Sequence, residues 1–202
     1  MTAKLAIPAQ AEIHCLGFAM KSGIHTSRLS FREFTVDDFG AVHAYAGDPE
    51  VTRYTAFGPN TPEQTRGFLQ LASDQAAQAD RGHYTFALIH EETKTLIGSC
   101  GFMRSDTSGP QYSFGYVLHK DWWGQGLATE AVAALVELGF EELQAHRLWA
   151  HVFVGNTASE RVLQKLGFRL EGCARKAMFV REAWHDLQTF AMLRSEWVKH
   201  AV

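Results

Sequence analysis

The feature that most constrains the fold is a pair of glycines, Gly124 and Gly126, placed between a strand-like run and a helix-like run. Glycine lacks the Cβ atom that would hold a ligand away from the backbone. A helix that begins at about Leu127 points its unpaired N–H groups and the positive end of its dipole at this turn. The pattern is typical of a phosphate-binding turn, and an ordinary glycine-containing connection is the alternative.

The segments around the turn predict an α/β domain with a mixed sheet. Alternating apolar residues predict strands at 84–89, 95–103 and 111–118, which short connections make antiparallel. After the turn, apolar residues at helical spacing predict an amphipathic helix, and a further strand follows at 147–154. The strand, helix and strand through the glycine turn therefore form a unit whose two strands are parallel.

Capping signals predict two more helices. Thr61 with Gln64 forms one capping box, and Thr157 with Glu160 forms another, for a helix that Gly167 ends. An extended segment is expected after this helix at 168–171, followed by a charged and aromatic loop as far as residue 184. A last strand is then expected at 185–193.

Composition favours one domain at 27–197 after a loose N-terminal extension at 1–26. The formal charge of -3 and the pI near 6.4 argue against nucleic acid and membrane surfaces as partners. The three cysteines, Cys15, Cys100 and Cys173, show no metal-binding spacing, which predicts a reducing cytoplasm and no metal. The mildly apolar start of the chain is too polar for a membrane span or a signal core.

Three runs of residues follow one another in the order Phe114-Gly115-Tyr116-Val117-Leu118, then Trp122-Trp123-Gly124-Gln125-Gly126-Leu127-Ala128-Thr129-Glu130-Ala131, then Asn156-Thr157-Ala158-Ser159-Glu160-Arg161 with Lys165-Leu166-Gly167-Phe168. Together they resemble the GNAT superfamily of acetyl-CoA-dependent N-acetyltransferases, and most closely its ribosomal-protein N-acetyltransferase type. The resemblance covers about residues 27 to 196. It implies a single domain whose mixed central sheet has a splayed strand pair and helices on both faces. Trp123 stands where the superfamily usually has Gln or Arg, a variation associated with the ribosomal-protein type.

The resemblance implies acetyl-CoA as the cosubstrate and assigns its binding to Val117, Leu118, Trp123, Gly124, Gln125, Gly126, Leu127, Ala128, Thr129, Asn156 and Ser159. The glycine turn would hold the diphosphate, and the strand end would pair with the pantetheine arm. Asn156 is expected to reach the pantetheine amides if Thr157 caps the helix. Otherwise Asn156 is itself a cap.

The resemblance also implies direct attack of the amine on the thioester, with no acyl-enzyme. The tyrosine that often serves as the acid falls at Leu163, so Ser159 is predicted to be the general acid, with a helix-surface serine as the alternative. His119 is predicted to be the general base. Glu130, His151 and a water chain are the other options.

The acceptor pocket is expected from residues 53–59 with the helix that Thr61 begins, and from residues 178–184. Four aromatic side chains would form a slot there or, alternatively, an ordinary apolar cluster, namely Tyr54, Phe57, Phe179 and Trp184. This part of the chain shows no acidic cluster for a polyamine, which favours a peptide or protein N-terminal α-amine, or another small amine, as substrate. We expect a monomer or a homodimer, since relatives of this type are often one or the other. A non-catalytic acyl-CoA-sensing module is an alternative function. A dinucleotide-binding oxidoreductase is disfavoured because Thr129 stands at the position of its third glycine.

Overall fold

The computed structural model describes residues 23–105 and 109–198 of the 202-residue chain. Eight strands and four α-helices are found within these ranges. The strands are β1 (Ile24–His25), β2 (Leu29–Glu33), β3 (His83–His90), β4 (Thr95–Arg104), β5 (Gln111–Leu118), β6 (Arg147–Phe153), β7 (Arg169–Val180) and β8 (Ala183–Leu193). The helices are α1 (Phe39–Ala46), α2 (Pro62–Ala76), α3 (Leu127–Glu141) and α4 (Thr157–Lys165).

All eight strands form one mixed sheet in the order β1-β2-β3-β4-β5-β6-β8-β7. The first five strands are antiparallel neighbours, whereas β5 and β6, joined through α3, are parallel. The mixed α/β sheet predicted from the sequence is therefore confirmed.

Strands β5 and β6 pair only near their beginnings. Three residue pairs join them, from Gln111 with Arg147 to Ser113 with Trp149. Beyond Ser113 the two strands separate, and β5 continues to Leu118 paired only with β4 on its other side. The expected splayed strand pair is confirmed, and it leaves an open edge on each strand at the centre of the sheet.

Two apolar cores cover the two faces of this sheet. Along β3, Phe86 and Leu88 belong to the core under α3 and α4, whereas Ala87 and Ile89 belong to the core under α1 and α2. This alternation is what a strand buried on both faces requires. Helix α3 begins at Leu127, as the sequence predicts, and packs its apolar stripe on the larger core.

The segment at 172–184, expected to be a loop, is instead most of a hairpin. Strand β7 continues to Val180, and a two-residue turn at Arg181 and Glu182 leads directly into β8. Nearly every residue of β7 is exposed because this strand lies at the edge of the sheet. An exposed strand needs no alternation of apolar and polar residues, so the pattern that reveals other strands is missing.

The predicted N-terminal extension lies outside the described residues as far as residue 22. Within its last part, Ile24 and His25 form β1 and pair with β2. None of the helices in the described ranges is long and apolar enough to cross a membrane.

Candidate active site

A cavity of about 910 Å³ opens where β5 and β6 separate. The end of β5, the beginning of α3 and the beginning of α4 line this cavity. The segment at 50–57, between α1 and α2, also lines it. A ligand that enters between the two strands can therefore contact the glycine turn and the 50–57 segment in one continuous space.

Both glycines of the turn have left-handed backbone conformations, with φ of 74° at Gly124 and 79° at Gly126. Residues with a Cβ atom rarely adopt this conformation, which explains the residue type. A Cβ atom at Gly124 would meet no atom within 4 Å, so the space above the turn is open. Gly126 is the N-cap of α3, whose unpaired N–H groups begin here. The turn fits the diphosphate of a coenzyme A thioester.

Trp123 explains how the turn is held against the sheet. Its Nε1 donates a hydrogen bond of 2.9 Å to the carbonyl of Leu118, the last residue of β5. The side chain of Gln125 donates to the carbonyl of Asp121 at 3.1 Å and closes the segment just before the turn. The tryptophan that departs from the superfamily pattern therefore fixes the end of β5 to the turn.

Most of the residues predicted to bind acetyl-CoA meet in this cavity. Those that line it are Val117, Leu118, Trp123, Gly124, Gly126, Leu127, Ala128, Thr129, Asn156 and Ser159. Gln125 and His119 are not among the lining residues. The three predicted runs of sequence therefore converge on one site, although they are far apart along the chain.

The capping of α4 differs from the sequence expectation. Asn156, not Thr157, is the N-cap, and its Oδ1 accepts a hydrogen bond of 3.3 Å from the backbone N–H of Ser159. Asparagine is among the best N-cap residues, so it outcompetes the threonine that follows it. The cap uses only Oδ1, and the side-chain NH₂ is the group of Asn156 that can donate to a ligand in the cavity.

Tyr116 is a site residue that the sequence did not reveal. Its hydroxyl lies 2.8 Å from the Oγ of Ser159, and both residues line the cavity. Either hydroxyl can act as the donor. Burial raises the pKa of Tyr116 to about 12, against the opposing effect of the hydrogen bond with Ser159, so the phenol stays protonated at neutral pH. The only sequence signal was the place of Tyr116 on the alternating face of β5.

His119 lies at the end of β5 but turns toward the segment that follows it. Its Nδ1 accepts a hydrogen bond of 3.3 Å from the N–H of Asp121 and caps a 3₁₀ turn at Lys120–Trp122. The Asp121 carboxylate is 3.6 Å from the same nitrogen. This arrangement is that of a capping side chain.

His151, on β6, lines the cavity. Its Nδ1 is 3.2 Å from the hydroxyl of Thr189, and its ring packs edge-on against Trp149 with centroids 4.7 Å apart. Partial burial lowers the pKa of His151, and a hydrogen bond with the backbone of Gln188 opposes this effect. The imidazole is therefore mostly neutral at neutral pH and able to accept a proton.

Glu130, the third residue considered as a base, is engaged elsewhere. Its carboxylate accepts hydrogen bonds from Thr26, Ser27 and Arg28, just before β2. A carboxylate held by so many donors is a structural group, and Glu130 does not line the cavity.

The 50–57 segment, the proposed acceptor wall, lines the cavity and includes the aromatic rings of Tyr54 and Phe57. The hydroxyl of Tyr54 lies 3.5 Å from the position that a Cβ atom would take at Gly155, just before α4. Of the four aromatic residues expected at an acceptor pocket, Tyr54 and Phe57 thus line the cavity. The rings of Phe179 and Trp184 instead pack on each other, tilted by 52° with centroids 5.2 Å apart; they are 58% and 60% exposed and do not line the cavity.

Arg181 joins the β7–β8 hairpin to this segment. Its Nη1 donates to the carbonyls of Phe57 and Gly58 at 3.3 and 3.1 Å, and its Nη2 donates to those of Arg53 and Thr55 at 3.1 and 3.0 Å. One guanidinium therefore satisfies four carbonyls of the acceptor wall. The left-handed backbone at Arg181, with φ of 50°, is unfavourable for a residue with a side chain, and these four bonds offset its cost.

Comparisons with known proteins agree with this geometry. Residues 28–169 match the sequence model of the acetyltransferase (GNAT) domain. The uncharacterized N-acetyltransferase p20 of Bacillus licheniformis is 33% identical over 175 residues, which cover 86% of this chain and 97% of that protein. The ribosomal-protein-serine acetyltransferase of Escherichia coli is 30% identical over 113 residues, or 56% of this chain and 63% of that protein. The crystal structure of a GNAT-family acetyltransferase from Bacillus anthracis superposes with a TM-score of 0.76 at 31% identity, covering 86% of this chain and 99% of that one.

Proposed function

Since the chain belongs to the GNAT family of acetyltransferases, we propose that it transfers the acetyl group of acetyl-CoA to the α-amine of a peptide or protein N-terminus. Acetyl-CoA is the cosubstrate of this family and the acceptor is an amine. The chain is therefore an acyltransferase, and neither an oxidoreductase nor a module that only senses acyl-CoA. The choice of a peptide α-amine is the proposed part.

One observation carries this choice of acceptor. Among the described residues that line the cavity, Glu50 is the one carboxylate, and it lies 3.6 Å from the Nζ of Lys120. A polyamine carries several positive charges and needs several carboxylates that are free to pair with them. The lining instead offers aromatic and small side chains, which suit the first residues of a peptide with a single charged amine. The ribosomal-protein-serine acetyltransferase among the relatives, by its name an enzyme that acts on a protein, supports the same choice.

Binding would use the turn and the open edge of β5. The N–H groups at the start of α3 would hold the diphosphate. Backbone groups of β5 near Val117 and Leu118, released from β6 by the splay, would pair with the pantetheine amides, and the NH₂ group of Asn156 would donate to a pantetheine carbonyl. Acetyl-CoA supplies an acetyl group activated as a thioester.

Proton transfer would use residues on both sides of the splay. His151, which is neutral at neutral pH, would accept the proton of the attacking amine, in place of His119, which caps a turn. Ser159 would donate a proton to the departing sulfur. Tyr116 would donate to the Oγ of Ser159, so that the hydrogen of Ser159 points into the cavity. A backbone N–H near Val117 or Leu118 would stabilise the negative charge on the thioester oxygen.

An acceptor panel tests the proposal. Thiol release from acetyl-CoA is measured with a short peptide bearing a free N-terminus, with the same peptide blocked at its N-terminus and bearing one lysine, and with spermidine. We expect kcat/KM to be highest for the free N-terminus. Preference for spermidine would contradict the proposed acceptor while leaving acetyl transfer intact, and preference for the blocked peptide would move the acceptor to a lysine side chain.

A further inference from the structure

The residues just before β2 lie beside the phosphate turn, at the end of the sheet where β3 and β5 finish. Leu29 pairs with His90 at the end of β3, and Gly98 near the start of β4 pairs with Leu118 at the end of β5. The antiparallel order therefore brings the residues just before β2 to the same end of the sheet as the glycine turn. Thr26, Ser27 and Arg28 lie there, against the first turn of α3.

Glu130, in that first turn, ties the two parts together. Its Oε1 accepts hydrogen bonds from the Thr26 hydroxyl at 2.6 Å, the Ser27 hydroxyl at 3.1 Å and the Arg28 N–H at 2.9 Å. Its Oε2 accepts from the Nε of Arg28 at 2.7 Å and lies 2.6 Å from its Nη2. Burial raises the pKa of Glu130, but the hydrogen bonds from Thr26, Arg28 and Ser27 outweigh it and leave the pKa below its usual value.

The guanidinium of Arg28 reaches the turn itself. Its Nη1 donates to the carbonyl of Gln125 at 2.9 Å, and its Nη2 lies 3.6 Å from the position of a Cβ atom at Gly126. Nη1 and Nη2 each carry two hydrogens, and these contacts use one on each. The side chain is 45% exposed, so a ligand bound beside the turn can reach it from solvent.

We propose that Arg28 is a specificity-determining residue that binds the phosphate end of acetyl-CoA. Glu130 places a negative charge in the first turn of the helix that must receive the diphosphate, and such a charge repels phosphate. Arg28 neutralises this carboxylate and adds N–H donors beside Gly126. Because Glu130 and the Gln125 carbonyl fix the guanidinium in advance, little side-chain freedom is lost when the phosphate binds. The inference rests on the proposed function only in taking acetyl-CoA as the ligand.

The test compares ligands with and without phosphates. The Kd of acetyl-CoA is measured by calorimetry, and the affinities of acetyl-3′-dephospho-CoA and acetyl-pantetheine are measured by competition against acetyl-CoA. We expect Arg28→Gln to raise the Kd of acetyl-CoA about tenfold or more, as for a lost hydrogen bond to a charged group. The Kd of acetyl-pantetheine should rise less than about twofold. If Arg28→Gln binds acetyl-3′-dephospho-CoA with the same loss of affinity as acetyl-CoA, Arg28 binds the diphosphate. If the affinity for acetyl-3′-dephospho-CoA changes as little as that for acetyl-pantetheine, Arg28 binds the 3′-phosphate.

Arg32→Gln is the matched control. Arg32 lies four residues further along the same part of the chain, is 44% exposed, and pairs with Asp38, a carboxylate as buried as Glu130. The Arg32→Gln variant loses the same charge and the same kind of ion pair as Arg28→Gln. We nevertheless expect it to bind acetyl-CoA and acetyl-pantetheine with unchanged affinity. Arg28→Lys, which keeps the charge with fewer donors, should lose part of the acetyl-CoA affinity and none of that for acetyl-pantetheine.

The inference would be overturned if Arg28→Lys lost equal affinity for acetyl-CoA and acetyl-pantetheine. It would also be overturned if a folded Arg28→Gln lost no affinity for acetyl-CoA. Circular dichroism and thermal melting establish that each variant is folded. No acceptor amine is needed for these measurements, so a failure here leaves acetyl transfer to a peptide untouched. Conversely, a wild-type protein that binds acetyl-CoA but acetylates no N-terminus contradicts the proposed function and not this inference.

Discussion

The Tyr116 hydroxyl lies 2.8 Å from the Oγ of Ser159, across the boundary between β5 and the first turn of α4. The two residues are 43 positions apart along the chain. Because the pKa of Tyr116 is raised to about 12, its hydroxyl keeps its proton and can donate it to the serine oxygen. A serine held in this way has its own hydrogen free for a third atom, and Ser159 lines the cavity.

We therefore expect Ser159→Ala to lower kcat about tenfold or more, with little change in the Kd of acetyl-CoA, because positioned proton transfer contributes at least this much. Tyr116→Phe should lower kcat about three- to tenfold, as expected for one hydrogen bond. Stopped-flow thiol release and calorimetry give the two quantities. Tyr45→Phe, in the buried core on the opposite face of the sheet, is the control and should leave kcat unchanged. An unchanged kcat in Ser159→Ala would remove this serine from the mechanism.

The base can be identified from the pH dependence of kcat/KM. A base acts when neutral, so activity is lost as the pH falls through its pKa. Burial lowers the pKa of His151, which places this loss below about pH 6.5, the usual value for histidine. We expect His151→Gln to lower kcat/KM and to abolish this acidic limb, whereas His119→Gln keeps it. The opposite result would assign the base to His119.

Local signals were sufficient to predict the conformation of the glycine turn. Gly124 and Gly126 have the left-handed conformations that only glycine adopts readily, and α3 begins where the glycines predict. The capping box of Thr61 and Gln64 is also present. These features depend on neighbours within a few residues, so the sequence contains nearly all of the relevant physics.

The remaining parts of the site depend on contacts between distant segments. The pairing of Tyr116 with Ser159 requires β5 and α4 to be in place, and the sequence of neither element predicts it. Arg181 is one charged residue among several on an exposed hairpin, and only the fold brings the four carbonyls to it. The sequence does not decide which residue caps α4, because Asn156 and Thr157 are both good caps and tertiary placement selects Asn156.

Gly124→Ala tests whether the open space above the turn belongs to the ligand. The new Cβ atom would project into the cavity, so we expect acetyl-CoA affinity to fall about tenfold or more by crowding the phosphate. Gly109→Ala is the matched control, because Gly109 also has a left-handed conformation, with φ of 91°, and open space around it, yet it does not line the cavity. In both variants the left-handed backbone of the new alanine lowers the free energy of unfolding by about 1–2 kcal/mol. Equal acetyl-CoA affinities in the two variants would argue against a ligand at the turn.

Acid titration tests the role of Glu130 in stability. The folded-state pKa of Glu130 is lowered, so its contribution is complete above the unfolded-state value, near 4.5, and is lost as the pH falls through the folded pKa. We expect Glu130→Gln to lower the free energy of unfolding by about 1–3 kcal/mol at pH 7 and to flatten its decline below about pH 4.5. Urea unfolding across this pH range gives both values. Glu92→Gln, at an exposed position in the turn between β3 and β4, should change neither, and an equal effect of both variants would show that Glu130 is an ordinary surface charge.

Arg181 is expected to control the acceptor wall without affecting cosubstrate binding. Its guanidinium holds four carbonyls between Arg53 and Gly58, and a lysine ammonium cannot span them all. In Arg181→Lys and Arg181→Ala we expect faster hydrogen exchange in residues 53–58 and a KM for the acceptor raised about fivefold or more, with the Kd of acetyl-CoA unchanged. Arg175→Ala removes the same charge from the same hairpin and serves as the control. A rise in the acetyl-CoA Kd equal to the rise in acceptor KM would show that Arg181 supports the whole cavity and not the acceptor wall alone.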